Sequence, residues 1–249
     1  MKKVFKDHFS GRSDDYQQYR PQYPLALFDY LATLTKCHDR AWDCATGTGQ
    51  SALQLSRYFS EVIATDASET QIENAIEHAN IHYRVALAEH SHIDANTVDL
   101  ITVAQAVHWF DLERFTHELE RVLKPDGVLA LWTYKLMQIR PDINAVIHAL
   151  YAETLGEYWP AERQMIENEY RDIHFPFHAQ SVPHLQMQHD WNLSQVIGYL
   201  CTWSAVKNYE KATGQNPVEQ IAPQLAALWG EPEHRLTIQW PLCLKVWLK

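Results

Sequence analysis

The sequence predicts an α/β chain on a parallel, doubly wound sheet, and three observations carry the prediction. Short β-rich runs alternate with helix-periodic runs through the first half, which calls for right-handed crossovers between parallel strands. A glycine pair, Gly47 and Gly49, follows the first of these runs, where a strand passes into a helix. The C-terminal run alternates apolar and polar residues, as an antiparallel strand with one wetter face does near a sheet edge. The 249 residues suffice for one large domain or two small ones. An apolar share of 46% with nine tryptophans excludes a disordered chain.

The elements follow in order. "RAWDC" (40–44) is a buried strand, followed by the glycine turn and a helix from about Gln50 to Tyr58. "EVIATD" (61–66) is the second strand. Ser68 with Gln71 predicts a capping box, and Ile72, Ala75, Ile76 and Ala79 line one face of the helix behind it. "IHYRVA" and "VDLITVA" are strands three and four. Asp111 caps a helix with the stripe Leu112, Phe115, Leu119 and Val122, closed by Lys124, Pro125 and Gly127. "GVLALWT" is strand five. Beyond it, Asp142 to Leu155 and Ala161 to Tyr170 read as helices, and "HLQMQHDW" alternates like a strand. Asn192 caps a further helix, and another spans about Val218 to Leu228. In the tail, Leu236, Ile238, Trp240, Leu242, Leu244, Val246 and Leu248 share one face, and Pro241 suits an edge or bulge.

Charge narrows the partners. Lys+Arg is 21 against Asp+Glu 31, a net charge of −10, which argues against nucleic acid and anionic membranes. The four scattered cysteines read as reduced thiols of a cytoplasmic protein. No apolar run follows the basic start, and none approaches a membrane span. His78 with His82, and His90 with His92, lack a carboxylate–histidine motif, so no metal site is expected.

Ligands of an open parallel sheet bind beyond the carboxyl ends of its strands. Glycine there admits a ligand close to the backbone, and the next helix offers free N–H groups. Gly47-x-Gly49-x-x-Ala52 meets the loose dinucleotide fingerprint, which a bare tight turn meets equally well. Asp66, ending the second strand, is placed to accept ribose hydroxyls, which points to an adenosine ligand. Asp43, four residues before Gly47, is unhelpful to a pyrophosphate but welcome to an ammonium and a sulfonium. Its plainer role is to accept hydrogen bonds from the loop, and the two roles are compatible.

At these residues the chain resembles the class I S-adenosylmethionine-dependent methyltransferases. Asp43, Ala45, Gly47 and Gly49 occupy that family's acidic residue and its three glycine positions, with Ala45 replacing the first glycine. "TVAQAVHWFD" and "ELERVLKPDGVLAL" resemble its later motifs. "FSGRSDDYQQYRPQYP", "LCTWSAVKNY" and "IQWPLCLKVW" resemble the trans-aconitate methyltransferase-like branch (methyltransferase type 11), with Ser13 in place of its usual alanine. The resemblance covers most of the chain outside about 138–180.

It implies a Rossmann-like sheet of seven strands ordered 3-2-1-4-5-7-6, the last strand antiparallel, with helices on both faces and a helical cap. It further implies that residues 1–249 form a single methyltransferase domain, with 1–24 as a lid arm and 138–180 as a cap insertion. The implied cofactor is S-adenosylmethionine. Asp43, Ala45, Gly47, Thr48, Gly49 and Gln50 line its methionine part, and Asp66 holds the ribose. Ala67, Gln71, Ala88 and Glu89 border the adenine. Gln105 and Ala106 lie under the methionyl chain, while Tyr16, Tyr19 and Arg20 fold over as a lid. His108 and Trp109 face a small-molecule methyl acceptor.

Methyl transfer from a sulfonium is an in-line displacement that needs near-attack geometry and exclusion of water rather than a nucleophilic Ser or Cys. His108 is the acid–base candidate, or else a hydrogen-bonding wall residue. A carboxylic acid is the first acceptor class, with Arg20, Arg140, Arg163 and Arg171 as its cations. Two other readings stay open: an NAD-dependent oxidoreductase, for which no Tyr-x-x-x-Lys relay is present, and a non-catalytic S-adenosylmethionine-binding protein. Monomer and homodimer are both compatible with the sequence.

Overall fold

The computed structural model describes residues 19–249. Five strands carry the first half: β1 (Arg40–Cys44), β2 (Glu61–Asp66), β3 (Ile81–Val85), β4 (Val98–Ala104) and β5 (Leu123–Tyr134). They pair in parallel, and the last strand, β8 (Leu236–Leu248), lies antiparallel against β5. With the short edge strand His178–Ala179 as β6, the order is β3-β2-β1-β4-β5-β8-β6, so the expected Rossmann-like topology holds.

One detail differs. The expected sixth strand is broken into β6 (His178–Ala179) and β7 (Gln186–Trp191), both antiparallel along the outer side of β8. Pro183 sits in the gap and Pro241 stands opposite Gln186, so two backbone donors are missing where the ladder is interrupted.

Strict alternation divides the strands between two cores. Ala41, Leu100, Val128, Ala130 and Trp132 face one side, under α1 (Leu25–Leu34), α2 (Gln50–Leu55), α5 (Pro141–Ala149), α7 (Leu193–Cys201), α8 (Ser204–Thr213) and α9 (Pro217–Trp229). Trp42, Ile101, Leu129 and Leu131 face the other, under α4 (Leu112–Val122), Ile166 of α6 (Arg163–Glu167), and Tyr170 and Phe175 beyond it. In the tail, Ile238, Trp240, Leu242, Leu244 and Val246 are buried on one face as expected, while Trp247 is buried on the opposite face against Phe175.

Two local expectations fail for tertiary reasons. The helix after Ser68 is only α3 (Glu69–Glu73), and Ser68 makes no side-chain capping bond. The chain beyond it is drawn to the glycine turn, where Ile76 N donates to Thr48 O (3.0 Å) and Tyr83 O–H donates to Ile76 O (2.8 Å). These bonds take the backbone groups that a longer helix would use. The second helix likewise ends at Leu55 rather than near Tyr58. Asp111 does cap α4 by accepting from Arg114 N, and Asn192 forms a full capping box with Gln195 on α7. Helices α1 and α8 had no counterpart in the sequence reading. Among the described residues no helix is long and apolar enough to cross a membrane.

Candidate active site

The predicted cofactor residues meet at the carboxyl ends of β1 to β4. Ala45, Gly47 and Gly49 all have left-handed backbones (φ 56°, 57° and 90°), so the turn spirals tightly between β1 and α2. Gly49 must be glycine for a second reason: a Cβ there would land on the Tyr83 phenol, whose Cζ is 2.9 Å away. Ala45 tolerates its conformation at a cost, which is how the missing first glycine is accommodated.

Asp43 is buried beneath the turn. It accepts from Thr46 (2.5 Å) and Thr102 (2.7 Å), so it braces the loop as its plainer reading held. Burial pushes its pKa up to about 6, against the lowering effect of the two threonines. Asp66 accepts from Gly47 N and from Ser68 N, both at 2.9 Å, and so aligns the turn with the end of β2. Gln71 is buried with Oε1 3.6 Å from where a Gly47 Cβ would stand. Thr48 and Ala88 are buried, and Ala67 is half-buried. Glu89 accepts from Asp111 N (2.7 Å), tying the loop after β3 to α4. Gln50 donates to Pro21 O (3.1 Å) and links the turn to the arm.

Gln105 (φ 57°) follows β4, with buried Ala106 behind it. Its Oε1 accepts from Thr133 (2.8 Å), and its buried Nε2 has no hydrogen-bond partner among the described residues. An orphaned buried donor is costly unless a ligand satisfies it. With the open glycine cradle and the carboxylates of Asp43, Asp66 and Glu89, this donor set suits a zwitterionic, sulfonium-bearing nucleoside. S-adenosylmethionine would rest on the turn, with Asp66 at the ribose and Gln105 at the amino-acid end, and it supplies an electrophilic methyl group there.

Beside Gln105 opens a second cavity. Aromatic walls come from Trp109, Tyr134, Trp159, Tyr199 and Trp203, and cations from Arg20, Lys135, Arg163 and Lys207. Among the described residues no carboxylate lines the cavity. Arg20 donates to Tyr134 OH (2.8 Å) and lies over the Tyr199 ring. Burial drives the Tyr199 phenol well above its ordinary pKa. Arg163 sits 4.6 Å over Trp159, with its Nε donating to Tyr151 OH and Glu167. Lys135 pairs with Glu169. His108, 4% exposed, lines the cavity and meets Tyr170 OH through Nδ1 at 3.0 Å.

Not every predicted residue arrives. Arg140 is not among the cavity's lining residues: it forks onto Asp142 and donates to Leu228 O, which takes up its guanidinium just before α5. Arg171 is exposed and pairs with Glu169. Tyr19 packs on α7, where a Cβ on Gly198 would sit 2.6 Å from its ring, rather than lining the cavity. Tyr16 lies outside the described residues. Tyr134, Trp159, Tyr170 and Tyr199 were missed. Trp203 and Lys207 stood in the quoted "LCTWSAVKNY", which was the available signal.

A family model described as a methyltransferase domain matches residues 42–131. A candidate methyltransferase of Dictyostelium discoideum is 36% identical over 225 residues, 89% of this chain and 86% of that protein. A solved structure of a candidate type II methyltransferase from Anaeromyxobacter dehalogenans superposes with a TM-score of 0.87 at 41% identity, covering 92% of this chain and 98% of the other. A candidate S-adenosylmethionine-dependent methyltransferase of Saccharomyces cerevisiae is 32% identical over 131 residues, 49% of this chain and 45% of that one. With a glycine turn between β1 and α2, acidic residues at the ends of β1 and β2, and this sheet order, the chain belongs to the class I S-adenosylmethionine-dependent methyltransferases.

Proposed function

We propose that the enzyme methylates a small carboxylic acid held in the aromatic, cation-lined cavity. The observation that carries this reading is Arg163. Its guanidinium is stacked on an indole and tethered through Nε to Tyr151 and Glu167, which orients a planar fork at the wall of a cavity lined, among the described residues, by four cations and no carboxylate. A fixed guanidinium loses little freedom on binding a carboxylate through parallel hydrogen bonds. An ionised carboxylate oxygen needs no base, so the residues' work is to orient it in line with the methyl group and to keep water out. In this reading residues 1–249 act as one cytoplasmic domain. Of the lid arm expected over 1–24, residues 1–18 lie outside the described residues, and the cap over the acceptor joins 138–180 with α7 and α8. Of the four arginines expected to hold the acceptor, Arg20 and Arg163 line the cavity, and Arg140 and Arg171 are not among its lining residues.

The experiment is a panel of carboxylic acids, phenols and amines assayed for transfer of a labelled methyl group, run with Arg163→Lys and Arg140→Lys. We expect acids to react, Arg163→Lys to raise the acceptor KM about tenfold or more, equivalent to about 1.4 kcal/mol, and Arg140→Lys to be silent. Reaction of phenols or amines alone, with both variants silent, refutes the carboxylate reading.

A further inference from the structure

We infer that Tyr151 is a positioning residue: it fixes the Arg163 guanidinium and the Trp159 indole at the cavity wall, and so sets the affinity for an acidic acceptor. This rests on reading the cavity as the acceptor site.

Tyr151 follows α5 in a π-helical turn, Leu150–Thr154. In an α-helix its carbonyl would receive the N–H of Leu155, four residues on. Here Leu155 N donates to Leu150 O instead (3.0 Å), and Tyr151 O receives Trp159 Nε1 (3.0 Å). The widened turn thus turns a backbone acceptor into a tie for an indole of the cavity wall, and such turns recur at functional sites. The Tyr151 ring packs on the same indole with centroids 4.8 Å apart, and it meets Trp203 nearly at right angles at 5.8 Å.

The side chain does the same for the cation. Arg163 opens α6, and its guanidinium carbon lies 5.4 Å from the centre of the Tyr151 ring and 4.6 Å from that of Trp159. A guanidinium has no acceptor, so the 3.0 Å bond runs from Arg163 Nε to the Tyr151 oxygen. The single phenol hydrogen goes to Glu167 Oε1, which also receives Arg163 Nε at 3.2 Å. Every direction in this triad is therefore fixed. Burial pushes the phenol pKa up to about 12, so that hydrogen stays in place through the neutral range. Both bonds of Arg163 use Nε, and among the described residues neither Nη atom has a hydrogen-bond partner. A carboxylate takes two parallel N–H groups of a guanidinium, and with Nε held back the Nη1–Nη2 edge is the one left for it. Tyr151 is not among the cavity's lining residues, so it acts through Arg163 and Trp159.

The test starts with NMR of the Arg163 Nε–H in the full protein saturated with S-adenosylhomocysteine. Its exchange with water should be slow, and Tyr151→Phe, which removes only the phenol oxygen, should speed it. Exchange as fast as that of a free arginine in the unmutated protein overturns the inference, and this measurement needs no variant to fold. Kinetics follow with the most active acid of the panel. Tyr151→Phe should raise its KM about fivefold, the worth of one hydrogen bond, with kcat little changed, because the carboxylate contact is made equally before and during transfer. The affinity for S-adenosylhomocysteine should not move. On an Arg163→Lys background the same substitution should add nothing, since lysine has no Nε–H to hold. Additive losses, or a fall in kcat with KM unchanged, refute positioning. If Arg163→Lys is silent while Tyr151→Phe frees the Nε–H, the tether stands and the reading of the cavity as the acceptor site fails, which is a different failure.

Discussion

Replacing Gly49 with alanine tests how the turn is held. Two costs can be separated in the structure. At φ 90° an alanine pays the left-handed penalty of about 1–2 kcal/mol. Its Cβ would also meet the Tyr83 phenol, so Tyr83 must move and give up its hydrogen bond to Ile76 O, a loss of about 1 kcal/mol. The sum of about 2–3 kcal/mol should lower the melting temperature by about 4–12 °C for a chain of this size. Because Ile76 N also bonds Thr48 O, the displacement should reach the cofactor cradle and weaken S-adenosylhomocysteine binding measured by calorimetry. In a Tyr83→Ala background the steric part disappears, and Gly49→Ala should then cost only the backbone part, giving a coupling of about 1 kcal/mol. Equal cost of Gly49→Ala in both backgrounds, with unchanged affinity, would refute the packing of Tyr83 against the turn.

Asp43 has a folded pKa raised from 3.8 to about 6, so its protonated form is the one folding favours. Its stabilising contribution is complete below the unfolded value and is lost as pH rises to about 6, a change of about 3 kcal/mol at about 1.36 per unit. Urea midpoints should show Asp43→Asn without this loss between pH 4 and 7, and parallel profiles for the two proteins would contradict it. Asp66→Ala removes acceptors for Gly47 N and Ser68 N, so the affinity for S-adenosylhomocysteine should fall about tenfold or more, with kcat at saturation little changed; calorimetry showing unchanged affinity would remove Asp66 from the site. Gly198→Ala, at a position without left-handed backbone, places a Cβ against Tyr19 and should dislodge the arm. We expect weaker cofactor binding with the circular dichroism spectrum retained, and binding equal to that of the unmutated protein would show that the arm does not cover the cofactor.

The sheet and the cofactor turn were legible because their signals are local. Burial on both faces writes β1, β2 and β4 as continuous apolar runs, and the glycine turn needs left-handed backbone at fixed positions, so residue identity reports it directly. The alternating tail and its antiparallel place beside β5 were readable for the same reason. Helix α3 was over-extended because its periodicity said nothing of the bonds from Ile76 and Tyr83 that pull the chain away.

The sequence by itself determined the class of sheet, the cradle and the acidic residues around it. The aromatic, cation-lined cavity was decided by tertiary structure alone. Tyr134 from β5, Trp159 from the segment after α5, and Tyr199 and Trp203 from around α7 are far apart in the chain, and no spacing rule links them. Arg140 and Arg163 are alike as sequence, yet one is spent on Asp142 at the surface while the other is stacked on Trp159 at the cavity wall. A guanidinium's use depends on which carboxylate or ring lies within a few ångströms, and only the packing of the cap on the sheet sets that distance.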